Sequence, residues 1–330
     1  MSLEPADSAV SDVLVEVENL VIRFPLRNGQ WIRPVDQVSF SVRRGEVLAL
    51  VGESGSGKTT IGRTLLRILE PHAGRISVDG QDVSHIRGEA LAQYRRHAQM
   101  IFQDPFASLN PVKTVENHLI FPVRKHRTRD RREASEIIDQ LLSRVGLTPV
   151  LETRQKFPHE LSGGQRQRLA IARALAVQPQ FLVAYEPISM LDVSIRAGIL
   201  KLMNALKGEF QLSFLYITHD LASARYFGDR IMVLYAGKVM ETALSPDLVR
   251  SPHHPYTRLL LAATPGSASP TMLPEKSQEP ADLTESRQGC PFAPRCMLAT
   301  GECRETMPDL VQVSDTHQVA CFHPQADAVR

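Results

Sequence analysis

Apolar positions follow two rhythms along the chain. Over Val13–Phe24, Leu14, Val15, Val17, Leu20 and Ile22 are β-compatible and interrupted by charge, which predicts a strand; Val38–Val42 alternates as a second strand after a turn region at Arg27–Pro34. Val47–Val51 is continuously apolar, the pattern of a strand buried on both faces. From Thr59 to Leu69 the rhythm becomes helical through Ile61, Leu65, Leu66 and Leu69, and Pro71 and Gly74 close it. Ile76–Val78 with Asp79 and Gly80 reads as an arm of a short hairpin. From about 104 to 177 the pattern is mostly helical, clearest over Glu133–Leu147. Apolar strands follow at Phe181–Ala184, Phe214–Thr218 and Ile231–Tyr235, separated by helix candidates at Ser194–Lys207 and Leu221–Phe227. This alternation predicts an α/β sheet carrying a helical insertion. Thr264–Gln288 has the Pro, Ser, Glu and Gln content of a linker.

Composition narrows the picture. With 330 residues, 43% apolar and 22% charged, the chain is too apolar for disorder and long enough for two domains or one large domain with an appendage. Lys and Arg total 38 against 36 Asp and Glu, so bulk charge gives no reason to expect nucleic acid or an anionic membrane as partner. The basic run Arg124, Lys125, His126, Arg127, Arg129, Arg131 and Arg132 lacks interleaved aromatics and meets Asp130, Glu133 and Glu136 at once, so it reads as a solvated helix face. No uninterrupted apolar stretch reaches membrane-spanning length, and Met1–Ser11 lacks the basic and apolar segments of a secretory signal. A cytoplasmic protein is expected. All four cysteines, Cys290, Cys296, Cys303 and Cys321, fall near the C-terminus, and in a reducing compartment they read as ligands in preference to disulfides.

Gly52, Glu53, Ser54, Gly55, Ser56, Gly57, Lys58 and Thr59 spell G-x-x-x-x-G-K-T between a predicted strand and a predicted helix. Glycines there let successive N–H groups curve around phosphate oxygens at a helix N-terminus. Lys58 can reach the outer phosphates, and Thr59 can ligate Mg²⁺. Further along, Leu161-Ser162-Gly163-Gly164-Gln165 opens a helix bearing Arg166, Arg168 and Arg173.

With the P-loop upstream, this second motif resembles the LSGGQ signature of the ATP-binding subunits of ABC transporters. The resemblance implies a P-loop NTPase cassette with a RecA-like core, an antiparallel β arm and a helical subdomain. Its boundaries would be 12–250 for the nucleotide-binding domain, about 104–177 for the helical subdomain and 251–330 for a small cysteine-containing C-terminal appendage. It also implies ATP and Mg²⁺ as ligands. The nucleotide would touch Gly52 to Thr59, Thr60 and Gln103, with Phe24 stacking on adenine and Trp31 the weaker candidate. Ser162, Gly163, Gly164, Gln165 and the D-loop Asp192 would serve the opposite site of a head-to-tail dimer, Thr59 and Gln103 would hold Mg²⁺, and His219 would sense the γ phosphate. Glu186 would be the general base.

One position departs from the family. Where it has an aspartate before the catalytic glutamate, this chain has Tyr185. A phenol supplies no charge for metal, so this chain's own P-loop is expected to bind Mg²⁺ poorly and to hydrolyse slowly or not at all; the alternative is that Tyr185 is tolerated, or introduced, with Gln103 and Thr59 holding the metal.

Pro252-His253-His254-Pro255-Tyr256-Thr257 and the long Phe102–Pro111 loop resemble the oligopeptide and dipeptide importer branch. That implies two membrane permease subunits, a second ATP-binding subunit, identical or related, an extracytoplasmic binding protein acting indirectly, and no nucleic acid. It places the chain peripherally on the cytoplasmic face of the cell membrane. The cysteines, spaced C-x5-C-x6-C-x17-C, resemble those with which members of this branch hold a [4Fe-4S] cluster; Zn²⁺ and free structural thiols stay open. His317 and His323 are expected at the surface, with spare ligation the alternative. A soluble ABC ATPase acting on nucleic acid or ribosomes would normally carry a tandem cassette or coiled-coil insertion, and this chain has one P-loop and neither. Three other readings remain: a largely non-hydrolytic regulatory or structural subunit, an oligosaccharide importer, or an importer of another small solute.

Overall fold

The computed structural model describes residues 12–263, 282–285 and 287–324. Met1–Ser11 and most of the expected linker at Thr264–Gln288 lie outside the described residues.

β1 (Val13–Pro25) and β2 (Trp31–Arg43) form an antiparallel ladder running from Val13 opposite Arg43 to Pro25 opposite Trp31. β2 therefore begins inside the stretch expected to be a turn, which shrinks to residues 26–30, closed by Leu26 N–H donating to Gln30 O at 2.7 Å. Cross-strand pairing satisfies the backbone of 31–34 and overrides its local turn composition. β4 (Ala73–Val78) and β5 (Gln81–Asp82), the expected short hairpin, add to the free side of β1, giving the order β2-β1-β4-β5.

β3 (Val47–Val51), buried at all five positions, sits inside a separate eight-stranded sheet. Its other members are β6 (Ala98–Ile101), β7 (Phe181–Tyr185), β8 (Ser213–Thr218), β9 (Arg230–Tyr235), β10 (Lys238–Leu244), β11 (Val311–Ser314) and β12 (His317–Val319), in the order β11-β12-β10-β9-β3-β8-β7-β6. From β9 to β6 neighbours run parallel; β10, β11 and β12 are antiparallel additions. Period-two alternation assigns the faces: Val47, Ala49 and Val51 enter one apolar cluster, Leu48 and Leu50 the other.

Helices cover both faces. α1 (Lys58–Leu65) and α2 (Gly88–His97) precede β6; α3 (Pro105–Ser108), α4 (Val115–His126), α5 (Arg131–Arg144), α6 (Val150–Gln155) and α7 (Gly163–Leu175) form the expected helical insertion; α8 (Val193–Phe210), α9 (Leu221–Phe227), α10 (Ser245–Arg250), α11 (Pro255–Ala262) and α12 (Gly301–Glu305) follow. α1 stops four residues short of the expected Leu69, because Leu66 caps it and Arg67 takes a left-handed φ of 54°. The insertion is clamped by Arg154, which donates to Glu116 at 2.6 Å from α6 to α4 and to Asp139 at 2.8 Å on α5. Within the basic run, Asp130 caps α5 through the N–H of Glu133, and Arg132 pairs with Glu136.

The C-terminal residues extend the eight-stranded sheet, because β12 pairs with β10. Cys290, Phe292, Ala293 and Cys303 belong to the same apolar cluster as β3 and β8.

Candidate active site

The P-loop turns tightly between β3 and α1. At Gly57, φ is 105° and a Cβ would lie 1.9 Å from the Pro34 carbonyl oxygen; at Gly52 it would lie 2.1 Å from that of Leu234. Only glycine fits either place. Within this turn Lys58 Nζ donates to the Gly52 and Glu53 carbonyls, both at 2.7 Å, and to Ser56 Oγ at 3.2 Å. Burial pulls its pKa down to about 8, against the opposing pull of Glu186 and Glu53. Thr59 and Thr60 are half-buried in the first turn of α1, and Ser54 and Gly55 are exposed at the loop's tip.

Glu186 follows β7 with a left-handed φ of 42°, its N–H donating to Ile217 O at 2.8 Å on β8. Gln103, just beyond β6, donates to Glu186 Oε2 at 3.1 Å, and His219, just beyond β8, has Nδ1 2.9 Å from Glu186 Oε1. Three residues far apart in sequence thus meet at the C-terminal ends of adjacent parallel strands, where open α/β sheets build their sites. Tyr185 lies on the opposite face of β7 from Ala184, packed against the cluster that contains Ile61 and Leu65 of α1.

The signature turn is separate. Ser162 caps α7 in a capping box, with Gln165 N–H donating to Ser162 Oγ at 3.3 Å and Ser162 N–H to Gln165 Oε1 at 2.9 Å. Gly164 lies against Ile195 of α8, so the turn and Asp192, which precedes α8, form one exposed face. Among the described residues no hydrogen bond joins this turn to the P-loop. The Phe102–Pro111 loop is tied to α7: Arg166 lies 3.7 Å from the ring centroid of Phe106, and Arg173 donates to Ser108 O at 2.5 Å. Phe24 is partly exposed opposite Ile32, two residues before the Pro34 carbonyl that touches Gly57. Trp31 is engaged by Arg23, whose guanidinium carbon lies 4.8 Å from the ring centroid.

Sequence reading missed how the C-terminal residues support this site. Tyr256 of the His-Pro-Tyr-Thr element accepts a 2.8 Å hydrogen bond from Glu53 N–H, and Arg295 donates to the Glu53 carboxylate at 2.8 Å. Glu241, fully buried, accepts from the backbone N–H of His253 at 2.6 Å and of His254 at 3.0 Å, and lies 2.6 Å from His317 Nε2. Burial pushes the carboxyl up, yet these partners outweigh it and hold Glu241 below the ordinary range. His317 is therefore buried against a carboxylate on β10 and not at the surface, whereas His323 lines the cysteine pocket. His254 is pushed down to about 4 by burial, so it is neutral and its Nδ1 accepts from Tyr256 N–H at 3.0 Å. The unit His-Pro-Tyr-Thr was visible in sequence, but nothing local identifies Glu241 as what it encloses.

Cys290, Cys296, Cys303 and Cys321 line one small pocket, with Phe292, Leu298 and Phe322 among its walls. None is in a disulfide. Burial pushes the Cys290 thiol up to about 11 and raises that of Cys321. Among the described residues no group of three or more His, Cys, Asp or Glu is close enough to hold a metal ion as it stands.

Sheet, P-loop and polar triad define a nucleotide-binding cassette. Residues 35–189 match the family described as ABC transporter, and residues 240–303 match the oligopeptide/dipeptide transporter C-terminal region. Over 326 residues the chain is 42% identical to the oligopeptide transport ATP-binding protein AppF of Bacillus subtilis (strain 168), covering 95% of this chain and 98% of that protein. Among solved structures it resembles cbiO1 from Clostridium perfringens, part of the ABC transporter complex cbiONQ, with TM-score 0.64 and 28% identity over 72% of this chain and 91% of that one. A dimeric post-hydrolysis state of the ATP-binding cassette MJ0796 bound to ADP and Pi aligns with TM-score 0.63 and 28% identity over 70% and 99%. The chain belongs to the ABC transporter ATP-binding family, in the branch that carries the oligopeptide/dipeptide transporter C-terminal region. No helix among the described residues is long and apolar enough to cross a membrane.

Proposed function

We infer that this chain is the ATP-binding subunit of a di- or oligopeptide importer, coupling ATP hydrolysis to solute passage through two membrane permease subunits from the cytoplasmic face. The observation that carries the catalytic part is Glu186 held between Gln103 and His219. Two fixed partners orient one carboxylate, so it can align and deprotonate an attacking water while His219 reports on the outer phosphate. Lys58 exchanges its bonds to the Gly52 and Glu53 carbonyls for phosphate oxygens. The Thr59 hydroxyl and the Gln103 amide would hold Mg²⁺, which when bound neutralises phosphate charge. Phe24 supports adenine at the mouth of the arm.

The exposed signature face, Ser162, Gln165 and Asp192, serves a second ATP-binding subunit; the dimeric ADP-bound relative supports this reading. The exposed Phe106, Phe121 and Leu151 of the helical insertion suit a membrane subunit's cytoplasmic loop, and the ties of Arg166 and Arg173 to the Phe102–Pro111 loop carry its motion back to Gln103. Recovery of the tagged chain from solubilised membranes with membrane-spanning partners is expected. Recovery without any would sink the importer reading.

Tyr185 gives this chain a weak hydrolytic site, so that much of its value to the dimer is its signature face. A gain in ATPase turnover for Tyr185→Asp is expected, and no gain would refute the impairment. The four thiols that line one pocket, with a spacing that resembles this branch, would be the ligands of a [4Fe-4S] cluster. Iron and acid-labile sulfide in anaerobically purified protein would be found; zinc or no metal would overturn the assignment.

A further inference from the structure

The segment from Cys290 to Cys296 reaches the nucleotide site. It is a tight turn, with Ala293 N–H donating to Cys290 O, and Arg295 and Cys296 N–H both donating to Phe292 O, each at 3.0 Å. Phe292 packs edge-on against Tyr235 with ring centroids 5.4 Å apart, and lies 5.3 Å from Tyr256. Arg295, next to Cys296, projects from this turn onto the P-loop, donating to Glu53 Oε2 at 2.8 Å and to the Tyr235 hydroxyl at 3.3 Å. Glu53 is the second residue of the glycine-rich loop, and its carbonyl is one of those that hold Lys58.

A carboxylate in a loop that must wrap a polyphosphate carries the wrong charge for its ligand. The Arg295 guanidinium neutralises that charge and ties the carboxylate to the cysteine turn, while Tyr256 holds the same residue's N–H. We propose that Arg295 is a positioning residue for nucleotide binding, through which the cysteine pocket sets the electrostatics and geometry of the P-loop. The two sites are then linked, and linkage is reciprocal: nucleotide in the P-loop steadies the cysteine turn as the turn steadies the P-loop. The proposal rests on ATP being the P-loop ligand.

The test uses the full chain and the fluorescent probe mant-ATP with Mg²⁺. Arg295→Ala should raise the Kd about fivefold or more, Arg295→Lys should lie between it and the unaltered chain, and adding Glu53→Gln to Arg295→Ala should bring Kd back to within about twofold. Rescue by removing a charge distinguishes positioning from loss of fold, since a second substitution does not repair a misfolded chain. In a second arm, Mg²⁺–mant-ATP should slow amide hydrogen exchange over residues 290–296 in the unaltered chain and have no effect on it in Arg295→Ala. Equal Kd values across the variants, or identical protection of the 290–296 amides in both proteins, would overturn the proposal while leaving the nucleotide reading intact. No mant-ATP binding by the unaltered chain would overturn both.

Discussion

Glu241 and His317, 76 residues apart in sequence, meet with Oε1 and Nε2 2.6 Å apart in the protein interior. The same carboxylate accepts from two consecutive backbone N–H groups, those of His253 and His254, so one buried acid joins β10, the start of α11 and the terminal hairpin. Removing it leaves three donors unpaired. Glu241→Ala should therefore destabilise the protein by about 3–5 kcal/mol, read as a fall in the thermal or denaturant midpoint.

His254 makes the same region sensitive to acid. Burial depresses its folded pKa to about 4 from 6.5, so between these values the unfolded chain binds the extra proton. Stability is fully present above pH 6.5 and falls as pH drops toward 4, by about 3 kcal/mol at most. Glu241, held low in the folded state, adds to the loss at still lower pH. His254→Asn keeps an acceptor for Tyr256 N–H and cannot titrate, so its urea midpoint should change less between pH 7 and pH 4.5 than that of the unaltered protein.

Lys58 gives nucleotide binding an alkaline limit. Its pKa in the nucleotide-free protein is lowered to about 8 by burial, and phosphate requires the ammonium form. Above that value binding must take up a proton, so mant-ATP affinity should be flat below pH 7.5 and weaken by up to about tenfold for each further pH unit above 8. In Lys58→Ala the residual binding should lose this pH dependence.

In the role proposed for it, Glu186 acts on the attacking water and not on the ground-state nucleotide. Glu186→Gln should lower the rate of ATP hydrolysis about 100-fold or more, with the Kd for mant-ATP changed by less than about threefold. A matching loss of affinity would show instead that the carboxylate shapes the binding site.

Gly57 is fixed by the arm. Gly57→Ala would drive a Cβ into the Pro34 carbonyl and demand a left-handed φ, so the P-loop must open. Nucleotide binding should fall below detection while circular dichroism is unchanged, because the collision involves one turn of the chain.

The strands at the sheet's centre and the P-loop were legible because their signals are local: a run of apolar residues, a glycine spacing, a lysine at a helix start. Edge elements were not. The exposed strand β11 and the early part of β2, which has turn-like composition, exist through pairing with the strands that flank them. His317 looked like a surface residue because a lone polar side chain usually is, and only its meeting with Glu241 justifies its burial. Gln103, Glu186 and His219 were identified as a set by their order along the chain, whereas their common hydrogen-bond network depends on β6, β7 and β8 lying side by side.

The cysteines and the P-loop mark the same division. Sequence by itself determined that the chain has a phosphate-binding turn and a cluster of four thiols, since each is written in contiguous or closely spaced residues. Tertiary structure alone decided that they lie in contact. Arg295 reaches Glu53 across 242 positions, because the C-terminal turn shares the cassette's apolar core, and the cost of bringing such distant residues together is met by the packing of the whole domain.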